Sequence, residues 1–179
     1  MRARLASCGA LACILTVGCT FTGAQTFYGV SNNDQNFAEV DFVLVEKERR
    51  SRIQGVPFVA FGAGRLPAEY GPDRNSFQRT SIGQKVRYPF YFLQEKVVIY
   101  VEAGGIVSYY SGGSIDDPWD LEATAGIGSQ INLGRGWGLD LAARVLQPTN
   151  NGNGHRDTEM VHAPHGTRTE FVFGLKKDF

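Results

Sequence analysis

The chain has no cysteine after Cys19, because its three cysteines stand at positions 8, 13 and 19 of 179. The remainder therefore cannot hold a disulfide framework or a cysteine-based metal site. It also lacks an excess of charge of either sign, with 18 Lys and Arg against 18 Asp and Glu. The absence of a polycationic surface argues against nucleic-acid binding.

Long hydrophobic runs are scarce as well. The apolar stretch at residues 5–17 is too short to span a bilayer as a helix. It follows Arg2 and Arg4 and precedes small residues, which is the order of an export signal. We predict that residues 1–24 are this signal and that residues 25–179 form one domain.

Two processing sites fit this signal. Thr22-Gly23-Ala24 is suited to cleavage before Gln25 by ordinary signal peptidase. The segment LTVGC at residues 15–19 resembles a bacterial lipoprotein box, which implies cleavage before Cys19 and lipidation of that cysteine. Both sites stay open, and either one predicts export from the cytoplasm.

After the signal, alternation of period two recurs, and no helix-period stretch persists. Segments rich in Gly, Asn and Asp separate the alternating runs, as turns do. The pattern predicts eight strands near 26–31, 37–46, 56–64, 77–90, 97–110, 120–133, 137–147 and 167–177. We therefore expect an all-β domain.

The polar faces of these strands carry seven acids and five bases, which could pair inside a narrow eight-stranded barrel. They are Glu39, Asp41, Glu102, Asp120, Glu122, Asp140 and Glu170, with Arg79, Lys85, Arg87, Arg144 and Arg168. The apolar faces would then contact lipid, and a closed barrel satisfies its backbone hydrogen bonds there. We predict an eight-stranded antiparallel up-and-down transmembrane β-barrel whose filled lumen is no general pore.

Alternation alone does not fix which face lies inside, because a soluble lipid-binding barrel has the same pattern with the faces exchanged. The last segment presents Phe171, Phe173, Leu175 and Phe179 on one face, interrupted by Lys177. A terminal Phe after such alternation resembles the sorting signal of bacterial outer-membrane barrels. Short and long connections also alternate, and aromatic residues lie near strand ends. We predict the outer membrane of a Gram-negative-type envelope.

The run VEAGGIV at residues 101–107, followed by Ser111 and Gly112, resembles a strand of the lipid A 3-O-deacylases of the PagL type. The similarity extends loosely over residues 86–179. It implies an outer-membrane barrel that hydrolyses an acyl ester. The family's serine, histidine base and orienting glutamate would stand on the lipid-facing side.

The catalytic pattern of that family is not preserved here. Its H-x-S-N segment corresponds to Gln147, Pro148, Thr149 and Asn150, of which Asn150 alone matches. Glutamine does not titrate and cannot act as a general base, and threonine is a hindered replacement for serine. The resemblance therefore supports fold and location more than catalysis.

The family's glutamate corresponds to Thr169, or to Glu170 if the strand carries a bulge. Strict alternation instead directs Glu170 into the lumen.

Glu102 and Glu122 are lumen-facing carboxylates on adjacent strands, and they could form a glycosidase-like acid/base pair. Ion pairing with Arg79, Arg87 or Arg144 is the simpler interpretation.

All three histidines lie in the long connection at 148–166: His155, His162 and His165. They could supply Thr149 with a relocated base or form a metal cluster. The simpler interpretation is a solvated loop, and we predict no metal and no cofactor.

We predict a small, monomeric, non-catalytic outer-membrane barrel that contacts outer-membrane lipid. Its long loops would bind lipopolysaccharide or another surface partner, and no nucleic acid. A divergent lipid A 3-O-deacylase and a soluble periplasmic lipid-binding barrel are the alternatives.

Overall fold

The computed structural model describes residues 19–31, 35–46, 53–65, 76–112, 119–149 and 167–179. These residues form eight strands, β1 (Cys19–Ser31), β2 (Gln35–Glu46), β3 (Gln54–Arg65), β4 (Ser76–Phe92), β5 (Val97–Ser111), β6 (Trp119–Gly134), β7 (Trp137–Pro148) and β8 (Arg168–Asp178). Each strand pairs antiparallel with its neighbours in the chain, and β1 closes the barrel on β8. The predicted eight-stranded antiparallel up-and-down barrel is confirmed.

The bounds of the observed strands match the predicted ones within two residues, except at the start of β1. That strand begins at Cys19 rather than at 26, because residues 19–24 pair with the end of β2. A bulge between Phe21 and Gly23 lets the register continue. The expected start was therefore wrong, whereas the two processing sites stay predictions.

Side chains alternate between lumen and outer wall along the strands. All twelve charged residues assigned to the polar faces are buried in the lumen. On the outer wall Leu121, Ile127 and Leu141 are 44%, 56% and 51% exposed. This orientation is that of a transmembrane barrel, and it is the reverse of the apolar lumen that a soluble lipid carrier requires. The soluble alternative is therefore wrong.

The two ends of the barrel differ in their connections. At the tight-turn end, residues 93–96 join β4 to β5, and Arg135 and Gly136 join β6 to β7. The start of β1 and the end of β8 lie at this end too. β3 and β7 end, and β4 and β8 begin, at the opposite end of the barrel, which we call the long-loop end. In outer-membrane barrels the short turns face the periplasm.

Aromatic rings fill the lumen by lying over glycines of the neighbouring strand. Five such cross-strand pairs occur among the described residues: Gly29–Phe37, Gly64–Phe77, Gly83–Phe58, Gly128–Tyr100 and Gly174–Phe27. A Cβ added at any of these glycines would lie 2.1–2.6 Å from the partner ring. Glycine is therefore required by the close approach of a ring, which lets a narrow barrel hold bulky side chains.

Candidate functional site

The charged side chains of the lumen form one connected network, and Glu170 on β8 lies at its centre. Its carboxylate accepts hydrogen bonds from Arg144 Nε at 2.7 Å, Arg79 Nη1 at 3.1 Å and Arg168 Nε at 3.2 Å. All four side chains are buried. Charge-assisted bonds of this kind offset much of the cost of removing the ions from water.

The network continues toward β2 and β4 through Glu39. Arg144 binds Glu39 with two parallel hydrogen bonds, and Lys85 Nζ donates to the same carboxylate at 2.7 Å. Lys85 also donates to Asp41 at 2.9 Å. Arg87 joins this network through ion pairs with Asp41 at 3.5 Å and with Glu102 at 2.9 Å. The bridges therefore link β2, β4, β5, β7 and β8 across the lumen.

Aromatic faces cover the cations that these bridges bury. Two guanidinium groups lie over the Phe37 ring, with the carbons of Arg79 and Arg144 at 5.3 and 5.2 Å from the ring centre. Arg87 lies 3.9 Å above the ring of Tyr100. Such contacts stabilise desolvated cations, and they tie the ion pairs to the aromatic rings packed on the glycines.

The lumen holds more acids than bases, and neutral donors satisfy part of the excess. Asp140 accepts from the Tyr100 hydroxyl at 2.6 Å and from Gln25 Nε2 at 3.2 Å. Toward the long-loop end, Arg168 Nη2 donates to Glu122 at 2.7 Å, and the Ser108 hydroxyl donates to Glu122 at 3.1 Å. A continuous water path along the lumen would require these hydrogen bonds to break.

Glu102 and Glu122 face separate cations rather than each other. Glu102 binds Arg87, and Glu122 binds Arg168. The interpretation as ion pairs is thus confirmed, with the expected Arg87 as the partner of Glu102, whereas Glu122 binds Arg168, which was not among the expected partners. Each carboxylate is held by its own cation, so the two do not form a glycosidase-like pair.

The positions that correspond to the deacylase site lie at the long-loop end of β7 and β8. Thr149 donates its hydroxyl proton to the Leu121 carbonyl at 2.7 Å, and its backbone N–H donates to the same oxygen at 2.8 Å. Gln147 is exposed on the outer wall and accepts a hydrogen bond from Thr167 Oγ1. The Thr149 hydroxyl therefore joins β7 to β6 at the long-loop end of the barrel wall.

The structure separates the two candidates for the orienting glutamate. Thr169 pairs with Val145 and Glu170 pairs with Arg144 in an uninterrupted register, so β8 has no bulge there. Glu170 consequently points into the lumen, as strict alternation predicts, and Thr169 does not. Asn150 and the three histidines lie outside the described residues, as does most of the 148–166 connection.

Among the described residues, no group of three or more His, Cys, Asp or Glu side chains is arranged to hold a metal ion. No helix in this part of the chain is long and apolar enough to cross a membrane. Cys19 is the first residue of β1 and lies at the tight-turn end. Its lipidation stays a prediction.

Sequence reasoning identified which residues face the lumen but missed two features that organise it. The glycine and aromatic partners are far apart in sequence in several cases, as in Gly174 and Phe27. The cations stacked on aromatic rings were missed for the same reason. The only sequence signal of the glycine–aromatic pairs is a glycine at a lumen-facing position of an otherwise alternating strand. Such a glycine is also typical of β-bulges, so it does not identify a ring contact by itself.

A closed eight-stranded barrel with an apolar outer wall and a lumen filled by paired charged side chains has the fold of small bacterial outer-membrane proteins. A major outer membrane protein from Thermus thermophilus superposes with a TM-score of 0.67 at 12% identity, over 89% of this chain and 100% of that one. Neisserial surface protein A gives 0.61 at 13% identity, over 90% and 99%. The outer membrane enzyme PagL gives 0.55 at 11% identity, over 88% and 99%.

At identities this low, the likeness shows the fold alone. PagL is one of several similar barrels, so the resemblance to PagL is supported at the level of the fold and not as a specific type. No protein-family model and no curated protein matches the chain.

Proposed function

We propose that this chain is a small, monomeric, non-catalytic barrel of a bacterial outer membrane, and that its long loops bind lipopolysaccharide or another surface partner. The observation that carries the proposal is the lumen network centred on Glu170, Arg144 and Glu39. Because ion pairs fill the interior, transport through the barrel would require breaking buried bridges. Binding at an end of the barrel is then the simpler role.

The outer wall supports the membrane location. Its exposed side chains are apolar over the middle of the strands, as in Ile82, Ile127 and Phe171. Aromatic pairs lie toward both ends, with Tyr109 and Trp119 at the long-loop end and Tyr88 and Phe90 toward the tight-turn end. Aromatic residues at both ends are typical of membrane interfaces.

The connection at 150–166 is the segment we assign to binding. It carries Arg156 and all three histidines of the chain, His155, His162 and His165, together with the acids Asp157 and Glu159. Arg156 and protonated histidines would donate charge-assisted hydrogen bonds to the phosphates of lipopolysaccharide. The test compares the full-length protein with a variant in which residues 151–165 are replaced by a short Gly-Asn linker.

Binding of each detergent-solubilised protein to immobilised lipopolysaccharide is measured. We expect the linker variant to bind at least about tenfold more weakly. A matched control shortens the connection at 48–51, at the opposite end, and should bind like the full-length protein. Equal binding by the linker variant and the full-length protein would contradict the assignment of this loop.

A divergent lipid A deacylase is the second candidate, and the observation in its favour is that two positions of the family's site, Gln147 and Thr149, lie at the rim, where Gln147 bonds to Thr167 and Thr149 bonds to the Leu121 carbonyl. Mass spectrometry of lipid A from cells expressing the protein tests it. Loss of one hydroxyacyl group that Thr149→Ala abolishes would establish the deacylase. Unchanged lipid A supports the non-catalytic barrel.

A further inference from the structure

One charged side chain interrupts the outer wall among the strand residues whose side chains are described, and it is Lys177 on β8. Its ammonium donates a hydrogen bond to the Arg135 carbonyl at 2.8 Å and lies 5.0 Å from the ring centre of Trp137. Lys177 and Trp137 are direct register partners. A cation beside a tryptophan at the end of a barrel wall is typical of a membrane interface.

A second cation lies in the adjoining turn. Arg135 is exposed and occupies the turn between Gly134 and Gly136. Asp178, the acid next to Lys177, pairs with Lys176 at 3.0 Å, and among the described residues no ion pair involves Arg135 or Lys177. Arg135 and Lys177 therefore leave a local excess of positive charge at the tight-turn end.

An apolar groove of about 440 Å³ lies on the same wall, across β5 to β8. It exists because two small residues lie between large ones in the register. Ala143 has Ile127 and Phe171 as its cross-strand partners, and Ser129 has Ile99 and Leu141. The large side chains form the sides of the groove, and its volume is within the range of roughly 300–1,000 Å³ of ligand pockets.

The groove lies on the strands next to the two cations, because Lys177 is on β8 and Arg135 is in the turn that joins β6 to β7. Leu141 lines the groove at the side nearer the tight-turn end. It is four residues along β7 from Trp137, which is a distance of about 13 Å at the rise of an extended strand. Leu139 and Ile131 continue the apolar surface between them. A lipid tail that starts at the level of Trp137 would thus reach the groove along an unbroken apolar path.

The geometry points to a binding site for one anionic phospholipid, with its phosphate group on Arg135 and Lys177 and its acyl tail in the groove. The charge selects an anionic headgroup, because two unmatched cations attract phosphate. Their position at the tight-turn end selects a phospholipid rather than lipopolysaccharide, because that end faces the periplasm in outer-membrane barrels. The site does not depend on the long loops.

Native mass spectrometry tests the site on the full-length protein purified from membranes, in micelles doped with phosphatidylglycerol, phosphatidylcholine or lipid A. We expect a phosphatidylglycerol adduct favoured over phosphatidylcholine by at least about tenfold. Arg135→Gln with Lys177→Gln should remove this preference. Ala143→Phe, which fills the groove, should lower the total amount of bound lipid.

Two matched controls separate the site from general effects. Lys96→Gln removes a cation from the neighbouring turn, and Ala38→Phe adds a ring to the wall on β2, away from the groove; both should bind phosphatidylglycerol like the unaltered protein. Heat-dependent electrophoretic mobility confirms that each variant is folded. The site would be refuted by equal binding of the two phospholipids, or by unchanged binding in both test variants. Loss of lipid A rather than phosphatidylglycerol on Ala143→Phe would equally overturn it, since lipid A would then be the occupant.

Discussion

Arg144 and Glu39 face each other across the lumen through two parallel hydrogen bonds, with Nη1–Oε1 at 2.8 Å and Nη2–Oε2 at 2.6 Å. The two residues belong to β7 and β2, which are not neighbours in the barrel. Since Arg144 also binds Glu170, one guanidinium joins two buried carboxylates from different strands. The interior is therefore held by side chains as well as by the backbone ladder.

Replacing Arg144 with Met should destabilise the barrel strongly. Both Glu39 and Glu170 would lose a buried cation, and breaking one side of a buried ion pair costs about 3–5 kcal/mol. Urea unfolding in detergent measures the change. Val145→Ala, the next residue on β7 but on the outer wall, is the matched control and should cost less than about 1.5 kcal/mol. Similar losses in both variants would argue against the network as a source of stability.

Gly128→Ala should disturb the lumen through Tyr100. A Cβ at Gly128 would lie 2.2 Å from Tyr100 Cζ, so the ring would have to move. Moving it weakens the 2.6 Å bond to Asp140 and the stack with Arg87. Overpacking of this kind costs about 1–3 kcal/mol.

The control for this substitution is Gly105→Ala, because a Cβ there meets no atom closer than 3.9 Å. Unfolding in urea should show a clear loss of stability for the first variant and almost none for the second. If both variants unfold at the same urea concentration, the ring contact does not require glycine at position 128.

The overall fold could be predicted because it depends on information local to each strand. Alternation in segments such as 97–110 and 120–133 separated a polar face from an apolar face. The terminal Phe, the alternation of short and long connections and the aromatic residues near strand ends then favoured the orientation with the polar faces inside. The identity of each partner could not be predicted. Arg144 reaches Glu39, 105 positions away, and only the stagger of the closed barrel brings them together.

The candidate site was predictable to a smaller extent. Alternation placed Glu170 in the lumen, and the structure agrees. That the Thr149 hydroxyl binds the Leu121 carbonyl could not be read from the sequence, because the contact depends on the register between β6 and β7. The groove was missed for a similar reason: Ala143 leaves a depression only because Ile127 and Phe171 flank it on other strands.

Thr149→Ala should weaken the rim without unfolding the barrel. The substitution removes the hydroxyl bond to Leu121, but the backbone N–H of residue 149 still donates to the same oxygen. Loss of one such bond costs about 0.5–1.5 kcal/mol. Hydrogen exchange at the amide of residue 149 and at the start of β6 should accelerate, while exchange at the middle of β6 stays unchanged. Faster exchange along the whole strand would contradict a purely local role.

A charge placed on the outer wall should be tolerated according to its depth in the membrane. Ile127 lies near the middle of β6 and Leu133 near its tight-turn end, and the two side chains are similarly exposed, at 56% and 59%. In a bilayer, arginine on a barrel wall costs about 2–4 kcal/mol at the midplane and about 0–1 kcal/mol near the interface. Ile127→Arg should therefore lower the free energy of unfolding from lipid vesicles far more than Leu133→Arg. In water the two substitutions would have similar effects, because both positions are exposed to the same degree. Equal losses in vesicles would mean that this wall does not face the lipid core, and the orientation of the barrel in the membrane would have to be abandoned.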